Sequence, residues 1–163
     1  MCSSDLLRPN YHAAAYYNLG IAYWSIGDRD QSLENYNKAI QVDSNYADAY
    51  FGRGVCYHML NNPEKALSDY SKAISLKPNP DLYFNRGLLY ANNKNWIAAI
   101  NDYTNAIALT PSNPAIFFNR SLAYGNLDQW KNAVDDLNTT LLLDPQNKSA
   151  LNNLEYAKSK LKP

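Results

Sequence analysis

The sequence predicts an all-α solenoid of antiparallel helix pairs, and three observations lead there. Four segments align: Tyr16-Tyr17-Asn18-Leu19-Gly20, Tyr50-Phe51-Gly52-Arg53-Gly54, Tyr83-Phe84-Asn85-Arg86-Gly87 and Phe117-Phe118-Asn119-Arg120-Ser121, spaced by 34, 33 and 34 residues. Sixteen residues after the small residue that ends each segment comes a second pattern, Tyr36-x-x-Ala39, Tyr70-x-x-Ala73, Tyr103-x-x-Ala106 and Leu137-x-x-Thr140. A proline then closes three of the units (Pro78, Pro111, Pro145), with Ser44 in that slot of the first. Self-similarity at a fixed period of this length is the mark of stacked supersecondary units.

Taken in order, the pattern gives helices near 13–26, 29–42, 47–60, 63–76, 81–92, 96–109, 115–126, 130–143 and 148–161. Turn signals separate the two helices of a pair: Gly27-Asp28, Asn61-Asn62-Pro63 and Asn93-Lys94-Asn95. Pro63 suits the first turn of a helix, where its missing N–H has no partner to lose. Pro78, Pro111 and Pro145 end the second helices. Small residues recur where the paired helices cross (Gly20, Gly54, Gly87, Ser121; then Ser32, Ala66, Ala99, Ala133), which lets backbones approach closely. Aromatic residues beside them fill the space.

These residues resemble the tetratricopeptide repeat (TPR), a 34-residue helix–turn–helix. With the first residue of a repeat as position 1, the units run 13–46, 47–79, 80–113 and 114–147. An aromatic residue at position 4, a small one at 8, Tyr at 11 (Tyr23, Tyr57, Tyr90, Tyr124) and a small one at 20 recur in register. The resemblance implies a right-handed TPR superhelix. Residues 148–163, with Leu151 and Leu154 at helical spacing and Lys158, Lys160 and Lys162 at the end, read as a capping helix with a polar outer face.

Composition narrows the function. Fifteen Lys+Arg balance fifteen Asp+Glu in 163 residues, which argues against a nucleic-acid or polybasic membrane binder. No run approaches the roughly 18 apolar residues of a membrane span. Cys2, Cys56, His12 and His58 do not make a zinc site by themselves, and no Ser/His/Asp or paired-carboxylate set assembles. No enzyme activity, metal or cofactor is expected.

Function must then lie where the repeat leaves residues free. In TPR arrays the first helix of each unit lines a concave groove through positions 2, 5, 6, 9, 12 and 13. Position 5 carries Tyr17, Phe51, Phe84 and Phe118; position 9 carries Ile21, Val55, Leu88 and Leu122. Position 6 carries Asn18, Asn85 and Asn119, interrupted by Gly52. A carboxamide offers a donor and an acceptor to an extended backbone, and apolar rows bury side chains. The asparagine row resembles the ladder in the TPR groove of O-linked N-acetylglucosamine transferase. The alternative is that positions 5 and 9 only pack neighbouring helices while the asparagines are solvated. Asp48 and Asp81 make one groove edge acidic, which favours a basic ligand, and His58 faces the groove at position 12. The carboxylate clamp by which some TPR co-chaperones hold heat-shock-protein tails uses Lys, Asn, Asn, Lys and Arg. Those places hold Tyr17, Ile21, Gly52, Asp81 and Asn85, so a clamp ligand is not expected.

Arg53, Arg86 and Arg120 at position 7 are matched by Asp69, Asp102 and Asp136 at position 23, sixteen residues on. In the remaining unit both are absent, replaced by Leu19 and Asn35. Joint presence and joint loss predict a structural ion pair between the helices of a unit rather than an anion site. Cys56 reads as a buried small hydrophobe, and Trp24, Trp96 and Trp130 as packing at helix ends.

Residues 1–12 are expected to be non-native or disordered. Cys2–Leu6 is what a common sequencing adapter encodes in one frame, suggesting an assembly artefact on a truncated frame; a short natural arm is the alternative. The sequence thus reads as a non-catalytic protein-interaction scaffold binding a peptide or partner helix, with a cytoplasmic location favoured and a monomer expected. The alternatives are a substrate-recruiting region of a larger enzyme truncated at its N-terminus, and self-assembly through repeat edges.

Overall fold

The computed structural model describes the backbone of residues 9–161 and the side chains of 12–161. Among them are nine α-helices and no strand: α1 Pro9–Ser25, α2 Arg29–Val42, α3 Ala47–Met59, α4 Pro63–Leu76, α5 Pro80–Asn92, α6 Trp96–Leu109, α7 Pro114–Asn126, α8 Trp130–Leu143 and α9 Lys148–Lys160. The second helices of the four pairs fall where the sequence puts them. Three first helices start earlier than read, on Pro9, Pro80 and Pro114 rather than on residues 13, 81 and 115. For α5 and α7 the reason is shared: proline is pre-set for the first helical position and has no N–H to satisfy there. Residues 1–8, where the artefact reading mainly falls, lie outside the described residues, whereas residues 9–12 belong to α1.

The chain divides into two compact units at a repeat boundary, residues 1–78 and 79–163. In the first, α1 packs on α2, α2 on α3 and α3 on α4; in the second, α5 through α9 pack in the same consecutive manner. The turn inside every pair puts position 15 in the left-handed region: Gly27 at φ 86°, Asn61 at 55°, Lys94 at 60° and Asp128 at 56°. Only the first is a glycine, so the other three carry local strain. Position 16 then caps the second helix. Asp28 accepts from the Gln31 N–H at 3.0 Å, Asn62 from Lys65 at 3.4 Å and Asn95 from Ala98 at 3.3 Å. Gln129 in the same place makes no such cap.

The helix crossings rest on a ring laid over a glycine. A Cβ on Gly20 would stand 2.7 Å from Tyr36, one on Gly54 2.8 Å from Tyr70, and one on Gly87 2.7 Å from Tyr103. Where Ser121 replaces the glycine, the facing residue is the smaller Leu137, and both are buried. Alanine positions complete each core. Ala99, Tyr103 and Ala106 of α6 enclose Ile116 and Ala123 of α7. Ala133 and Leu137 of α8 enclose Ala150, Leu154 and Ala157 of α9.

Candidate functional site

The arginines at position 7 are engaged within the fold. Arg53 donates to both carboxylate oxygens of Asp69, from Nε at 2.8 Å and Nη2 at 2.7 Å. Arg86 holds Asp102 in the same fork, both contacts 2.7 Å, and Arg120 holds Asp136, both 2.8 Å. The carboxylates are buried, and their hydrogen bonds push each guanidinium further above its already high range. Each guanidinium also lies between the rings at positions 4 and 11: Arg53 between Tyr50 and Tyr57 (5.5 and 5.9 Å to the centroids), Arg120 between Phe117 and Tyr124 (5.7 Å each). A third donor reaches the preceding repeat, Arg53 Nη1 to Asn37 at 2.6 Å and Arg120 Nη1 to Thr104 at 3.0 Å. So these arginines knit helices together. Leu19 and Asn35 break the pattern: Leu19 is exposed, and buried Asn35 donates to the Gln31 carbonyl instead.

In the first unit the position-5 aromatics are partly committed to packing. Tyr17 sits 5.9 Å from Tyr36 and edge-on to Tyr46 at 5.5 Å, and Phe51 sits 6.0 Å from Tyr70. Burial and the nearby Asp48 carboxylate raise the Tyr17 hydroxyl above its ordinary range. Asn18 and Ile21 are exposed, while Asp48, Val55 and His58 are half-buried. Gly52 has a steric cause. A Cβ there would lie 2.7 Å from the Tyr36 ring, so an asparagine cannot continue the row at this point.

In the second unit the structure brings Leu88, Asn119 and Leu122 together around one cavity of about 210 Å³, with Trp96 and Tyr103 on its walls. Phe84 leans on Tyr103 at 6.0 Å, and Phe118 packs against the core of α8. Asp81 is exposed. Asn85 and Asn119 each turn one amide N–H back to their own helix, to the Asp81 and Ala115 carbonyls at 2.8 Å. That leaves each carboxamide its oxygen and one further N–H.

A larger cavity, about 420 Å³, opens between α7, α8 and α9. Leu122, Asn126, Trp130, Asn153, Tyr156 and Lys160 are among the residues that line it. Trp130 and Tyr156 meet edge-to-face at 5.7 Å, and the Lys160 ammonium lies 5.1 Å from the Tyr156 ring. Sequence reasoning missed most of this site because α9 was read as a polar cap. In fact Tyr156 and Leu151 are about half exposed. The signal was present: counted from Lys148, Asn153 and Tyr156 fall at positions 6 and 9 of another first helix. Trp130 is both a packing residue and a cavity wall.

The remaining candidates stay structural. Cys56 is buried, 3.6 Å from the Ser32 hydroxyl, and burial pushes its thiol up, away from reactivity. Among the described residues no group of His, Cys, Asp or Glu is placed to hold a metal, and no helix is long and apolar enough to cross a membrane.

Comparison with known proteins agrees with this geometry. A family model described as tetratricopeptide repeat matches residues 47–80, and one described as TPR repeat matches 25–61 and 94–128, together more than half the chain. The chain belongs to the TPR family. Its all-α TPR fold is shared with solved structures. The MamA protein superposes with a TM-score of 0.86 at 21% identity, over 91% of this chain and 82% of that one. YrrB, described as a TPR protein with an unusual peptide-binding site, gives 0.85 at 22%, over 96% and 81%. The first TPR of Spaghetti (RPAP3), bound to the HSP90 peptide SRMEEVD, gives 0.68 at 29%, over 73% and 95%. No protein with a curated description matches the sequence significantly.

Proposed function

We propose that this TPR protein is a non-catalytic interaction scaffold that holds an extended peptide or a partner helix against the first helices of its repeats. The observation that carries the reading is the α7–α8–α9 cavity. It joins an apolar side chain (Leu122), two aromatic faces (Trp130, Tyr156) and two carboxamides (Asn126, Asn153) in one opening. That mixture suits a polypeptide: rings and aliphatics take a side chain, and carboxamides match backbone N–H and C=O. The peptide-binding site named for YrrB and the peptide bound to the RPAP3 repeat support a polypeptide ligand. The ligand's chemistry differs from the latter, because Tyr17, Ile21, Gly52, Asp81 and Asn85 stand where a clamp would need its cations and amides.

Selection from a random peptide library on the immobilised chain, followed by calorimetry of the selected peptide, tests the reading. Leu122→Ala combined with Tyr156→Ala removes exposed side chains and should weaken binding at least about tenfold with the fold intact. The SRMEEVD peptide should not compete. Unchanged affinity in the double variant sinks the site assignment.

A further inference from the structure

The two cavities of the second unit follow one plan, a repeat apart. Each is walled by positions 9, 12 and 13 of a first helix, 17 and 24 of the second helix, and 6, 9, 10 and 13 of the next first helix. At positions 17 and 24 the smaller cavity has Trp96 and Tyr103, and the larger has Trp130 and Leu137. Position 24 is tyrosine in the other three repeats, and each ring, Tyr36, Tyr70 and Tyr103, lies over the position-8 glycine of its own repeat. In the fourth repeat that ring is missing. The cavity there reaches Ser121 and Ala133, at positions 8 and 20, neither of which has a counterpart among the walls of the smaller one. Its volume is about 420 Å³ against about 210 Å³.

The space the missing ring leaves is suited to another ring. Tyr70 and Tyr103 fill the equivalent place fully buried, and their hydroxyls have no hydrogen-bond partner among the described residues, so the ring and not its polar end holds it. Ser121 commits its one donor to the Phe118 carbonyl at 2.6 Å. Ala133, Leu137 and Ala157 give buried apolar walls. Trp130 and Tyr156, edge-to-face at 5.7 Å, supply the aromatic surface against which a third ring packs. Gly125 lets the Trp130 ring approach α7, since a Cβ there would stand 3.3 Å from it. A smaller aliphatic group would leave part of the space empty and forfeit those contacts.

We propose that the α7–α8–α9 cavity receives one aromatic side chain of the bound polypeptide, in the place of the ring absent at position 24. This rests on the reading of the cavity as a polypeptide site and adds which kind of residue anchors there. Its first test needs no peptide. p-Cresol, the tyrosine side chain as a free molecule, should bind the full chain with a Kd on the order of a millimolar, read as NMR shifts of the Trp130 indole and Leu137 methyl groups. Apolar cavities of about 150 Å³ left by a lost side chain take up benzene in this way. Ser121→Gly with Leu137→Tyr restores the pair found at Gly87 and Tyr103. It should keep the helicity and melting temperature, fill the cavity and weaken p-cresol at least about tenfold. Tyr156→Ala, at an exposed position, should weaken it as well. No shift in the native chain, or an affinity unchanged in either folded variant, overturns the proposal. Peptides selected from a random library form the second test. Each should carry an aromatic residue whose replacement by alanine weakens binding at least about tenfold, a loss that disappears in the filled variant. Peptides that bind through Leu122 and Tyr156 without an aromatic residue overturn the anchor and leave the scaffold standing. A library that yields no binder counts against the scaffold, and p-cresol then still decides whether the cavity accepts a ring.

Discussion

At the scale of single residues, the recurrent arginine decides how the repeats hold together. Two of its five N–H donors fork onto a buried carboxylate, its faces meet two rings, and in Arg53 and Arg120 a further N–H reaches the preceding repeat. Removing one partner strands the other, so Arg86→Ala and Asp102→Ala should each lower stability by about 2–3 kcal/mol. This is below the range for fully buried pairs because the arginine side chain is 18% exposed. The double variant should show coupling of at least about 1 kcal/mol in chemical denaturation, and additive losses would refute the pairing. The pairing was legible in the sequence because Arg and Asp vanish together where Leu19 and Asn35 stand. The stacking of positions 4 and 11 on the guanidinium was not legible, since a tyrosine that packs on a ring and one that covers a cation occupy the same periodic slot. Gly52 is a similar case. The sequence shows an interrupted asparagine row, but only the Tyr36 ring explains the interruption.

At the scale of elements, the turns and caps repeat with the same period as the helices. Position 15 is left-handed in all four pairs, and position 16 caps the second helix in three. Gln129 is the exception. Its longer side chain accepts instead from Asn132 at 3.0 Å, leaving the first turn of α8 without a side-chain cap. Gln129→Asn should therefore raise stability by about 1 kcal/mol, read as an upward shift in the melting temperature. No gain would mean that the turn at Asp128 holds the shorter side chain away from the N–H groups. Helix ends were read from sequence to within a residue where a capping residue or a closing proline marked them. At α5 and α7 the start falls one residue before the reading, on Pro80 and Pro114, because a proline in a repeat can close one element or open the next, whereas Pro63 opens α4 as read. The capping helix shows the other limit. Its polar appearance hid Tyr156, whose role depends on what lies opposite it on α7 and α8.

For the whole molecule, the buried tyrosines at position 24 tie stability to alkaline pH. Burial, with smaller effects from Cys56 and Tyr17, pushes the Tyr36 hydroxyl up to about 12, and burial likewise raises Tyr70 and Tyr103. A group whose value is higher folded than unfolded contributes stability that is complete below its unfolded value, near 10. That contribution is lost as pH rises towards the folded one. The melting temperature should thus be insensitive to these groups up to about pH 10 and fall steadily above it, towards about 12 for Tyr36. Tyr103→Phe should make the fall shallower. Its hydroxyl has no hydrogen-bond partner among the described residues, so the substitution should cost little at neutral pH. A curve flat to pH 12 would contradict the burial of these rings.

The sequence by itself determined the repeat, the pairing of helices, the glycine–tyrosine crossings and the arginine–aspartate pairs. Each is a relation between residues at fixed spacing, and periodicity writes such relations out several times over. The tertiary structure alone decided which side chains remain open. It placed Leu88, Asn119 and Leu122 around one cavity, and Trp130 and Tyr156 around another. It turned the position-5 aromatics partly into the packing. Exposure depends on what lies opposite a residue in space. A repeat sequence states what each unit contains, and only the stacked units show which faces are still free to bind.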